Sequence, residues 1–128
     1  MKMLLAITRV LLGLTFVVFG SNHVLHFIPM GPMPAGPAAQ FAGALFTTGY
    51  IYFVTVFEVA GGILLLINRY VPLALALLAP VIVNIDLFHS LMAPSGLPIA
   101  ALISIFWLLT AWRARSVFLP LLRQRVTE

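Results

Sequence analysis

Residues 3–27 read MLLAITRVLLGLTFVVFGSNHVLHF, and the reading of this stretch decides the fold. A cleaved secretory signal would show an unbroken apolar run followed by a small-x-small cleavage site. Arg9 interrupts the run and no convincing site follows Gly20. A spanning helix needs about 20 mostly apolar residues, and this stretch supplies them. It therefore reads as a transmembrane helix that the mature chain keeps.

Three further stretches of the same kind follow, at about 44–67, 71–92 and 97–113. Of the 128 residues, 62% are hydrophobic and 8% charged, where a soluble domain carries about 25% charged residues. Mean hydropathy is +1.14. A single soluble core of this size cannot hide so much apolar surface, so the excess faces lipid. The predicted architecture is all-α, a four-helix transmembrane bundle over residues 1–113, with an interfacial tail at 114–128. In that tail Arg residues mix with Val117, Phe118, Leu119, Leu121 and Leu122, and Pro120 interrupts.

The connections are unequal. Residues 28–43 hold Pro29, Pro32, Pro34 and Pro37, three glycines and no charge, which predicts a long irregular Pro/Gly-rich outer loop. Asn68-Arg69-Tyr70 leaves room only for a tight hairpin, with Pro72 suited to a first helical turn. Ser95 or Gly96 can cap the last helix, with Pro98 behind it.

Lys2, Arg9, Arg69, Arg113, Arg115, Arg123 and Arg125 all fall at one end of this arrangement. Short cytoplasmic loops are enriched in Lys and Arg, which predicts cytoplasmic N- and C-termini in a bacterial inner (cytoplasmic) membrane. Tyr50 and Tyr52 towards one face, with Tyr70, Trp107 and Trp112 towards the other, resemble interfacial aromatic belts. The net charge of +4 comes with no basic run suited to a phosphate backbone, so nucleic acid is not an expected partner. The absence of cysteine excludes disulfides, thiolate nucleophiles and Cys-ligated metal centres.

Ionisable groups inside spanning helices are costly, and they mark functional candidates. Counting depth at about 1.5 Å per residue from the basic ends puts Arg9 and Glu58 at levels that a long Arg side chain can bridge. They are expected to form an ion pair that fixes helix register. A second group is expected near the opposite face. His23 and His26 share one helix face at i, i+3, as do Asp86 and His89 on another helix, and Asn22 and Asn84 stand ready as outer hydrogen-bond partners. His23, His26, Asp86 and His89 form a candidate cofactor site. Neutral imidazoles with a carboxylate suit a transition metal or zinc, opposed histidines could ligate haem, and a His with an acidic partner could exchange protons with a quinone. Interfacial histidines bonded to backbone or headgroups are the alternative.

The first helix, with Arg9, Gly13, Phe16, Gly20 and then His23, resembles the opening of the DoxX family of small four-helix membrane proteins. Glu58 followed by Gly61-Gly62 and a Leu run is similar to that family's second-helix motif. Many members carry Lys where this chain has His23. The resemblance implies a four-helix bundle in the cytoplasmic membrane, in a family that includes quinone-linked oxidoreductase subunits, partners of oxidative-stress enzymes and receptor-assembly factors. The leading expectation is a redox-associated subunit that binds a quinone or metal near the outer face. Electrons would come from a protein partner, since no flavin or dinucleotide motif is present. A non-catalytic assembly or scaffold protein is the alternative, and a small transporter, which would have to be a homo-oligomer, is the third.

Overall fold

The computed structural model describes residues 1–126. The elements are α1 (Lys2–Leu25), α2 (Pro37–Thr47), α3 (Tyr50–Leu66), α4 (Val71–Leu91), α5 (Leu97–Arg113) and α6 (Arg115–Phe118), with 3-10 turns at Pro94–Gly96 and Leu119–Leu122. No strand occurs among the described residues. α1, α4 and the stretch Pro94–Arg113 are each long and apolar enough to cross a membrane, and α2 with α3 makes a fourth span only if that pair, bent by 85°, is counted as one.

The second span therefore differs from the expected 44–67. Gly49 adopts a left-handed φ of 78° and separates α2 from α3. Just before it, the Thr47 and Thr48 hydroxyls donate back to the carbonyls of Gly43 and Ala44 at 2.7 and 2.5 Å, closing α2 locally. The expected irregular loop at 28–43 is irregular only as far as Gly36. Pro37 opens α2 instead of prolonging the loop, because proline is well suited to a first helical turn and the alanines behind it are strong helix formers.

The four long helices pack as a ring: α1 against α3 and α5, and α4 against α3 and α5. α1 and α4 thus occupy opposite corners. Leu12, Phe16, Leu65, Ala74, Leu75, Leu78 and Ile82 form the buried core, while Phe53, Val56 and Leu108 point outward with more than half their surface exposed. Only 28% of the most apolar window of α1 is buried inside the protein, which leaves the remainder for lipid. Lipid tails are as apolar as leucine, so close packing and interhelical hydrogen bonds must hold such helices together. The α1–α3 seam shows this at Gly62, where an added Cβ would stand 2.8 Å from the Gly13 carbonyl oxygen and 2.8 Å from a Val17 methyl.

The turns follow from local chemistry. At the end of α3, Asn68 is left-handed (φ 56°), its N–H donates to Leu65 and that of Arg69 donates to Leu64. This is a Schellman closure, with Asn taking the position glycine usually fills. At the end of α1, His26 is left-handed (φ 52°) and donates its N–H to Asn22. The buried Asn22 side chain then holds Ile28 in both directions, accepting from its N–H at 2.7 Å and donating to its carbonyl at 3.2 Å. Asn22 is therefore a clamp on the chain leaving α1, not an outer partner of the histidines. In α4, Asn84 is likewise engaged elsewhere, donating to the Pro80 carbonyl at 2.8 Å. The Trp107 indole donates to the Leu75 carbonyl at 3.0 Å, tying α5 to α4 beside the turn that Pro80 loosens.

Candidate functional site

The structure separates the four residues expected to gather. His23 lies on α1 and Asp86 with His89 on α4, so they occupy opposite corners of the ring. Each finds a nearer partner. The Asp86 carboxylate accepts from the Ser104 hydroxyl of α5 at 2.7 Å. His89 Nδ1 stands 3.1 Å from the Ala93 carbonyl, and its ring fits over Gly96, where an added Cβ would come within 2.2 Å of the imidazole. His26 is exposed, with its ring 6.3 Å from that of Phe46. Among the described residues no three His, Asp or Glu side chains come together as a metal set. The donor geometry does not fit a metal held by His23, His26, Asp86 and His89.

The expected Arg9–Glu58 pair is also replaced. Arg9 donates through Nη1 to the Leu65 carbonyl, at the C-terminal end of α3. A guanidinium there adds a second donor, beside the Asn68 N–H, to a buried carbonyl at the negative end of the helix dipole. Glu58 instead lies beside His23, with Nδ1 and Oε2 3.1 Å apart. The reason is helix register. α3 ends level with Arg9, about 10 Å along α1 from Lys2, so counting both helices from a common baseline sets Glu58 too low. In the actual alignment Gly13 faces Gly62 and Gly20 faces Glu58, with a Cβ on Gly20 falling 3.0 Å from that of Glu58. One turn beyond Gly20, His23 comes within reach of the carboxylate.

This buried group carries the unusual chemistry. Glu58 is 5% and Thr55 8% exposed, and Thr55 lies one turn before Glu58 on the same helix face. His23 Nδ1, Glu58 Oε2 and Thr55 Oγ1 are all buried without a hydrogen-bond partner; the imidazole and carboxylate meet at ion-pair distance but are not aligned for a hydrogen bond. Three incompletely satisfied polar atoms in an apolar bundle leave hydrogen-bonding capacity for one further polar group. The His23 side chain is 29% exposed, so the group is reachable from the rim. Phe46 of α2 sets its ring edgewise to His23 at a centroid distance of 6.1 Å, and Phe41 of the same helix packs on Phe88 of α4 at 5.6 Å. α2 thereby reaches across this end of the ring, with Phe46 beside His23 and Phe41 on α4.

Sequence reasoning singled out His23 and Glu58 but assigned them to different clusters, and it missed Thr55, Phe46, Ser104 and Gly96. The spacing of Thr55 and Glu58 at i, i+3 was a readable signal. The contacts of Phe46, Ser104 and Gly96 depend on tertiary packing that no local pattern encodes.

Neither a curated protein nor a solved structure matches the chain. The DoxX family model matches residues 4–91, from the first turn of α1 to the last residue of α4 and including Arg9, His23, Thr55, Glu58, Asp86 and His89. The chain belongs to the DoxX family.

Proposed function

We propose that this DoxX integral membrane protein is the membrane subunit of a redox assembly, and that His23 and Glu58 bind a quinone headgroup and exchange protons with it. The observation that carries this reading is the buried His23–Glu58 pair, 3.1 Å apart, with the unpartnered Thr55 hydroxyl one turn away and the Phe46 ring of α2 against the imidazole. A quinone oxygen accepts a hydrogen bond from an imidazole N–H, and its ring suits an apolar, aromatic rim. Conversion to quinol takes up two electrons and two protons. An imidazole can both give up and take on a proton, which equips His23 to deliver one, with Glu58 beside it to restore it. The electrons come from a dehydrogenase partner, because the chain has no motif for a flavin or dinucleotide.

The reading places the His23 end towards the outer face and both termini in the cytoplasm. The support is charge placement: the start of α1, the α3–α4 turn and the end of α5 meet at one end and carry Lys2, Arg9, Arg69 and Arg113. This topology requires α3, 17 residues long, to cross the membrane antiparallel to α1.

Binding of a short-tailed benzoquinone to the purified protein in lipid nanodiscs tests the proposal. His23→Gln is expected to weaken binding more than tenfold, and His89→Ala to leave it unchanged. Wild-type affinity in a folded His23→Gln variant would overturn it. The close approach of Gly20 to Glu58 supports a second reading, in which the pair only locks α1 to α3 within an assembly factor. That reading expects lower abundance for Glu58→Gln and no quinone binding by the wild type.

A further inference from the structure

At the opposite end from His23, the start of α1, the α3–α4 turn and the end of α5 enclose a cavity of about 240 Å³. Arg9, Asn68, Val71, Thr110 and Arg113 line it, with apolar side chains of the first turns of α1 closing the wall. Two guanidiniums thus share one niche, and neither Glu58 nor Asp86 reaches it. Arg9 is half-buried and donates through Nη1 to the Leu65 carbonyl, so its other N–H groups remain for a second acceptor. Arg113 is exposed and can fold over the opening. Val71 is the first residue of α4, and the positive end of that helix dipole adds to the field in the cavity. The Asn68 amide supplies another donor. Thr110 is buried and already donates to the Phe106 carbonyl at 2.8 Å, so it serves as wall rather than as donor.

We infer that this cavity binds a phosphate group, held between the guanidiniums of Arg9 and Arg113. The two arginines supply planar N–H forks that match phosphate oxygens, and among the described residues no carboxylate lines the niche to neutralise them. Its position at the basic end of a membrane protein is where basic pockets between helices meet anionic lipid headgroups. A lipid phosphodiester and a soluble phosphate offer the same chemistry, and the experiment separates them.

The protein, reconstituted or in uncharged detergent, would be analysed by native mass spectrometry with phosphatidylglycerol or with diacylglycerol, which lacks the phosphate, and its thermal stability followed with and without inorganic phosphate. The expected result is selective retention of phosphatidylglycerol, weakened about fivefold by Arg113→Gln and unchanged by Arg125→Gln, which removes a charge from the exposed tail outside the cavity. Arg9→Lys, which keeps the charge but loses the fork, is expected to weaken retention as well, and checks the assignment should Arg113→Gln fold poorly. Stabilisation by millimolar phosphate that also displaces the lipid would support the same cavity with a soluble occupant. Equal retention of both lipids without any phosphate effect, or equal losses for Arg113→Gln and Arg125→Gln, would overturn the inference.

Discussion

Two carboxylates lie in the seams of this ring, and their surroundings differ. Glu58, between α1 and α3, is almost fully buried and faces an imidazole that can carry charge. Asp86, between α4 and α5, is half-buried and accepts a hydrogen bond from a neutral hydroxyl at 2.7 Å. The first seam is drawn together by glycines until backbones touch, while the second is tied by the Ser104 and Trp107 donors. A tightly packed seam with an unsatisfied acid–base group is suited to proton chemistry. A looser seam whose acid already has its hydrogen bond is suited to fixing helix position.

The largest expected effect comes from stranding the buried acid. His23→Ala leaves Glu58 without its ionisable partner and is expected to cost about 3 kcal/mol of stability, read by thermal or denaturant unfolding in nanodiscs. Adding Glu58→Gln to that variant should recover part of the loss, and strict additivity of the two changes would break the contrast between the seams. Gly62→Ala should cost about 2 kcal/mol, because the new methyl meets the Gly13 carbonyl and Val17 with no room to relax.

The α4–α5 seam should respond more weakly. Ser104→Ala removes one hydrogen bond to a half-exposed acid, for about 1 kcal/mol or less. A loss as large as that of His23→Ala would equate the two carboxylates. The smallest effect is expected for Gly43→Ala in α2, where an added Cβ meets nothing within 4 Å. Its stability should stay within about 0.5 kcal/mol of wild type, with any change favouring the helix.

The apolar stretches of α1, α4 and α5 were legible because a spanning helix must satisfy its backbone internally and present lipid with apolar side chains. α2 was not, because Pro37 is read equally well as a breaker and as a first-turn residue until Ala38 is seen packed. Arg9, Glu58 and His23 stood out by the cost of placing them in a membrane, but their pairing depends on how far α3 is offset along α1. That offset is set by Gly13, Gly20 and Gly62 meeting side chains and carbonyls across the seam, an interaction without periodic trace. Likewise His89 and Asp86 drew attention as a pair at i, i+3, while their actual partners, Ala93 and Ser104, are set by the following turn and by α5.

The most direct test of the proton-exchange site is ¹⁵N magnetic resonance of histidine-labelled protein in bilayers, before and after addition of a short-tailed benzoquinone, with His23→Gln used to assign the signal. The His23 ring nitrogens are expected to shift on quinone addition, the response to vanish in Glu58→Gln, and His89 to remain unmoved. A silent His23, or an undiminished response without the Glu58 carboxylate, would contradict the site.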